Sequence, residues 1–197
     1  MAVIAAPGEQ YTIRRKVFKI LGASFHVYDA EGHVIGFCSQ KALKLREDIR
    51  IFTDESMRTE KLRMTTRAII DFGASYDVVL PDGSSVGSLR RKGLTSIFRD
   101  SWRVFGPDNT EVASLIEDSA FKAIIRRSHD VFSLIPQTFH ITAADGTRIA
   151  TFRQHFNPLI YRLGIAIDRS KLNGAGISEP LVLAAAALIA AIEGRQG

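Results

Sequence analysis

In segment after segment of this chain, apolar side chains fall at every second position. Phe25 and Val27 alternate with His26 and Tyr28, and Leu62 and Met64 with Lys61, Arg63 and Thr65. Trp102 and Val104 alternate with Arg103 and Phe105, and Phe139 and Ile141 with His140 and Thr142. Tyr161, Leu163, Ile165 and Ile167 alternate with Arg162, Gly164, Ala166 and Asp168. A period of two sends one set of side chains to a core and the other to water, which predicts half-buried antiparallel strands, on the order of twelve in all. Short helical pieces are expected around Leu94–Arg99 and Ala120–Arg127.

The pattern changes at the end of the chain. From Leu181 to Ile192 no polar side chain occurs, and alanine and leucine dominate. Both are strong helix formers, Pro180 suits a first helical turn and Gly194 suits the residue just past the end. The predicted helix, at about 179–194, is apolar on every face and needs an apolar surround. Its apolar run of about 12 residues spans roughly 18 Å, whereas a bilayer core needs roughly 20 residues. A protein core fits better than a membrane. A barrel of about eight strands is filled by its own side chains, and about twelve strands leave a wider lumen. The two patterns therefore predict a mainly β fold: a closed antiparallel barrel of about twelve strands around a central hydrophobic C-terminal helix. Residues 1–10 read as a flexible lead-in. No linker-like composition divides residues 11–197, so they read as one domain.

A weak repeat runs through the strands: an Asp-containing turn, then a strand bearing one small residue. Asp29, Asp82, Asp108 and Asp145 mark the turns, and Gly36, Gly87, Ala113 and Ala150 the small positions. Turn chemistry explains all four aspartates better than metal ligation does. The small residues predict close backbone approach.

Composition adds bounds. A content of 46% hydrophobic and 24% charged residues is that of an ordinary globular domain. Cys38 is the sole cysteine, which excludes an internal disulfide and cysteine-rich metal sites and suits a reducing compartment. The first eight residues lack the basic region and apolar length of a secretory signal, so a cytoplasmic location is expected. Net charge is +5, which permits attraction to anionic lipid or nucleic acid without requiring it. No zinc module, recognition helix or RNA-binding signature accompanies it, so nucleic acid is not an expected partner. No nucleophile elbow, phosphate loop or paired-histidine motif is present, and the expectation is a non-enzyme with no cofactor or metal. Asp168, Ser170 and Glu179 have the spacing of parts of a calcium loop, but Leu172 stands where an oxygen ligand is needed; an ordinary strand-to-helix connection is the better reading.

The strongest basic cluster is Arg90, Arg91 and Lys92, with Arg99 nearby. On one rim of a barrel these side chains would bind anionic lipid headgroups, at about 1 kcal/mol each near an anionic surface. Leu94, Ile97 and Phe98 would then dip into the interface; the competing and plainer reading is a solvated basic face with those three packed inward. A second cluster, Arg14, Arg15 and Lys16 with Lys19, is expected to face solvent, and Arg126 and Arg127 form a small third one.

Taken as an ordered set, Tyr76-Asp77-Val78, Val86 through Lys92, Phe98 through Trp102 and Ala191 through Gly194 resemble the bacterial branch of the phospholipid scramblase and LURP-one-related proteins, of the tubby C-terminal-like superfamily. The resemblance spans roughly residues 11–194. It implies a twelve-stranded barrel around a hydrophobic C-terminal helix and, more loosely, lipid binding at a membrane surface. Unlike the eukaryotic scramblases, the chain has no proline-rich N-terminal segment and no cysteine cluster for acylation. The functional expectation is a non-catalytic barrel that binds anionic phospholipid headgroups, peripherally at the inner membrane, through Arg90, Arg91, Lys92 and Arg99. The competing expectation is a soluble regulatory or protein-interaction module with no lipid role.

Overall fold

Twelve strands carry the alternating pattern in the computed structural model, which describes residues 5–16, 23–40, 48–70, 73–92, 101–118, 136–157 and 160–193. They are β1 (Tyr11–Lys16), β2 (Ala23–Asp29), β3 (Val34–Gln40), β4 (Ile49–Phe52), β5 (Glu60–Ile70) and β6 (Gly73–Val79). Then follow β7 (Ser85–Arg91), β8 (Ser101–Phe105), β9 (Glu111–Glu117), β10 (Thr138–Ala143), β11 (Arg148–His155) and β12 (Ile160–Ile167). Each strand pairs with its sequence neighbour, and β1 closes the circle on β12 from Tyr11↔Ile165 to Lys16↔Ile160. All pairings are antiparallel, so the architecture is a closed up-and-down barrel. Two helices follow, a short α1 (Arg169–Leu172) and α2 (Glu179–Glu193). The helical pieces expected around 94–99 and 120–127 lie outside the described residues.

The alternation read from the sequence sorts the side chains correctly. Phe25, Val27, Leu62, Met64, Trp102, Val104, Phe139, Ile141, Leu163 and Ile165 all point into the lumen and are buried. They surround α2. From Leu181 to Ala191 every residue except Leu183 is at most 1% exposed, which is the environment an all-apolar helix demands. Cys38 shares this interior, and burial pushes its thiol up to about 12, so it stays neutral.

The four-fold repeat is one hairpin design used four times. In each, an amide three residues into the turn donates back to the first turn carbonyl: Gly32 to Asp29, Gly83 to Leu80, Asn109 to Gly106 and Gly146 to Ala143. Those four donors are the residues with positive φ, at 89°, 85°, 64° and 86°. Asp82, Asp108 and Asp145 accept the amides two residues on, from Ser84, Thr110 and Thr147. The Ser84 hydroxyl and then its amide hold Asp82 below the ordinary carboxyl range, and the amides and then the hydroxyls of Thr110 and Thr147 do the same for Asp108 and Asp145. The first copy differs: Glu31 takes the equivalent place, and Asp29 sits two residues earlier, accepting the His33 amide.

Each hairpin also has a β-bulge just before its small residue. Val27 faces Gly36 while Tyr28 faces Val34, leaving Ile35 extra. Val86, Val112 and Ile149 are the corresponding extra residues before Gly87, Ala113 and Ala150. Bulges gather at barrel rims, where they bend a strand and re-aim a side chain. Here they turn Ile35, Val86, Val112 and Ile149 against the core. All four lie at the end where α2 begins, called the near end below; β7 and β1 run from it toward the far end.

Of the expected lead-in, residues 5–10 are tied to the barrel. The Gln10 amide donates to Ile165 O at 2.9 Å, and the Gln10 side chain accepts the Ile167 amide at 2.6 Å. The Glu9 carboxylate lies over Gly164, in space that a Cβ there would occupy, and pairs with His155 at 2.7 Å.

Candidate functional site

The basic cluster expected from the sequence is divided by strand alternation. On β7 Leu89 faces the lumen, so Arg90 faces outward and Arg91 falls on the inward-facing set at the far rim. Arg90 is committed elsewhere: its guanidinium stacks 3.9 Å from the Phe105 ring centroid and donates to Asn109 Oδ1. Arg103 stacks on the same ring at 5.2 Å and donates to Glu111. Two cations thus cover Phe105, which is why an outward-facing aromatic is only 5% exposed. Arg91 and Lys92 end the strand at the far rim, and both are exposed. Arg99 lies outside the described residues, as do Leu94, Ile97 and Phe98.

The second cluster departs from expectation. Arg15 does not face solvent. It alternates with Ile13 on the lumen side, is 8% exposed and holds its guanidinium 5.8 Å from the Tyr161 ring centroid. The alternation that buries Ile13 dictates this, and the long aliphatic stem lets a charged residue occupy an inward position near a barrel end. Arg14 faces outward and is half-buried. Lys19 and the pair Arg126 and Arg127 lie outside the described residues.

Both ends of the barrel carry charge among the described residues. Among the described residues, the near end carries the exposed acids Glu31, Asp54, Glu55, Asp82, Asp108 and Asp145 and the exposed bases Arg58, Lys61, Arg148, Arg169 and Lys171. At the far end, Glu117 ends β9, and Asp48 and Asp118 face Arg50 and the His140 ring, each at 3.4 Å. Arg91 and Lys92 stand exposed at that same end.

The near end holds a concavity that the sequence pattern does not announce. A cavity of about 290 Å³ separates α2 from the wall formed by β1 to β5. Its depth is lined by Ile13, Val27, Gly36, Ile51 and Leu62, all buried. Its mouth is formed by Ile35, Leu80, Pro180 and Leu183, half-buried, and by Lys61, exposed. Leu183 is the one residue between Leu181 and Ala191 that keeps contact with solvent, and this opening is the reason. Lys61 and Ile35 are both bulge residues, since Ile51 faces Leu62 while Phe52 faces Glu60. The bulges bring them together, and Lys61 Nζ donates to Ile35 O at 2.7 Å.

The cavity exists because α2 is off-centre. Its first turn leans on β7, where Gly87 has no side chain and a Cβ would lie 3.0 Å from Leu181 Cδ2. Gly36 occupies the matching position on β3 but has no helix against it. The signal was present in the repeat, which marked both glycines. Which one the helix would choose was not written in it.

Beside the mouth, Tyr11, Arg169 and Glu179 anchor the start of α2. Arg169 donates to both Glu179 oxygens, at 3.0 and 2.8 Å, and Tyr11 Oη donates to Glu179 Oε1 at 2.5 Å. The Arg169 hydrogen bond holds the Glu179 carboxyl below its ordinary range, against the opposing effect of burial. Burial, and then the Glu179 carboxylate, raise the Tyr11 hydroxyl. Asp168 is likewise engaged, by Ser170 Oγ at 2.5 Å and Lys171 Nζ at 2.9 Å. The residues with calcium-loop spacing are thus the polar contacts of a strand-to-helix connection. A group with a lowered pKa stabilises the fold fully above its unfolded value, and that contribution is lost as pH falls through the lowered value. Glu179→Gln should therefore lower the melting midpoint at neutral pH by about 2–4 °C, for about 1 kcal/mol in a chain of this size. The gap between variant and parent should close as the pH is taken well below about 4. Melting curves from pH 7 to pH 3 check this; a pH-independent gap would assign the loss to packing.

No protein-family model matches the chain, and no curated protein matches it. Among the described residues, no helix is long and apolar enough to cross a membrane.

Proposed function

We propose that this barrel is a non-catalytic module that binds anionic phospholipid headgroups at the cytoplasmic membrane surface, with Arg91 and Lys92 at the far rim as its contacts. The observation that carries the reading is the adjacent pair Arg91 and Lys92, both exposed where β7 ends at the far rim. Two neighbouring cations at one rim are drawn toward a negative surface before contact. The reading is in keeping with the resemblance to scramblase-like and LURP-one-related proteins. Arg90 is left out of the contact set because Phe105 and Asn109 already hold it.

Co-sedimentation with vesicles tests this. Binding should require anionic lipid and weaken with added salt. At about 1 kcal/mol per basic residue, the double variant Arg91→Gln, Lys92→Gln should lose roughly thirtyfold in affinity. Arg90→Gln should change binding little. Equal binding to neutral vesicles, or a double variant that binds like the parent, would remove the proposal.

A further inference from the structure

The near-end cavity joins an apolar depth to a charged mouth. Its depth is apolar, and a void lined by such side chains stays dry instead of filling with ordered water. Its volume of about 290 Å³ is close to twice that of an engineered apolar cavity that admits benzene. Scaled from the six carbons of benzene, it has room for about twelve aromatic carbons, or roughly ten of a saturated chain, whose carbons carry more hydrogens and need more space. The one charged group at its mouth is the Lys61 ammonium, which donates to the Ile35 carbonyl. Among the described residues no carboxylate pairs with Lys61. The nearby Glu179 carboxylate is already held by Arg169 and Tyr11. An apolar slot with an uncompensated cation at its rim is complementary to one kind of molecule.

We infer that the cavity between α2 and the β1–β5 wall binds a single straight acyl chain of about ten carbons whose anionic head pairs with Lys61. The chain would lie against Leu183 and over Gly36, whose missing side chain keeps the slot open. Introducing a Cβ at Gly36 would place it 3.1 Å from Ile51 Cγ2 and inside this space. The site is separate from the far rim, so it stands or falls independently of headgroup binding there.

Isothermal titration calorimetry of the full chain with decanoate, below its micelle concentration, is the test. Saturable binding at one site per chain is expected. Lys61→Gln should weaken decanoate about tenfold and leave decanol unaffected. Leu183→Trp, which fills the slot, should weaken both at least tenfold. If that variant fails to melt cooperatively, Leu80→Phe provides the same obstruction from the wall. A lysophospholipid with a ten-carbon chain separates the two sources of such a ligand. Decanoate binding more tightly indicates a free fatty acid; the lysophospholipid binding more tightly indicates a membrane-derived lipid. The inference is overturned if decanoate shows no saturable binding, if decyltrimethylammonium binds as well as decanoate, or if a folded slot-filling variant binds like the parent.

Discussion

A chain ending at Ser178 should not melt cooperatively. Truncation there removes α2, whose Leu181, Val182, Leu188 and Ile189 are at most 1% exposed. At about 1.5–3 kcal/mol for each large apolar side chain, their burial alone contributes roughly 6–12 kcal/mol. That is comparable to the whole stability of a typical domain, about 5–15 kcal/mol. The loss does not stop there, because Phe25, Met64, Leu89, Leu115, Phe152 and Leu163 line the lumen and would face water once the helix is gone. A twelve-stranded wall cannot shrink to fill itself, since its strand number sets its width. Differential scanning calorimetry and dye binding should show a broad, low-enthalpy transition with exposed apolar surface. A truncated protein that melted in one sharp transition within a few degrees of the full chain would show that α2 is an accessory and not the core.

The second large effect is expected from Gly87→Ala. Gly87 has φ 142°, in the region that side-chain-bearing residues rarely enter, and a Cβ there would collide with the Phe105 carbonyl oxygen. It would also meet Leu181 at 3.0 Å, the point where α2 leans on β7. Backbone strain of about 1–3 kcal/mol and overpacking of a similar size together give roughly 3–5 kcal/mol. Gly83→Ala makes the control. Gly83 also has positive φ, but nothing lies within 4 Å of a Cβ there, so only the left-handed conformation costs, about 1–2 kcal/mol. Chemical denaturation of the two variants should separate them clearly. Equal losses would mean that the close approach of α2 to β7 carries no energy.

Much of this barrel is legible along the chain. Phe25, Met64, Trp102, Phe139 and Leu163 announce their inward direction by alternation alone, because a strand repeats every two residues whatever it pairs with. The helix is equally plain, since twelve successive apolar residues from Leu181 to Ile192 leave no face for water. The candidate sites were less legible. Arg90, Arg91 and Lys92 form a block in sequence, but alternation puts Arg90 and Arg91 on opposite faces, and Phe105, fifteen residues from Arg90, claims the first of them. Arg15 looked like part of a solvent-facing cluster, yet the period that buries Ile13 also turns it inward. The Lys61 site escaped notice because it depends on bulges in two strands and on a gap that neither strand contains.

The sequence by itself determined the elements: strands from their period, hairpins from their turn residues, the helix from its composition, and the need to enclose one in the other. These are local properties, decided by backbone sterics and by each side chain's preference for oil or water. Only the tertiary structure decided where α2 lies in the lumen, that it rests on Gly87 and leaves Gly36 uncovered, and which basic side chains remain exposed. Those outcomes depend on how volumes from remote segments share one interior, a quantity that no single stretch of the chain encodes.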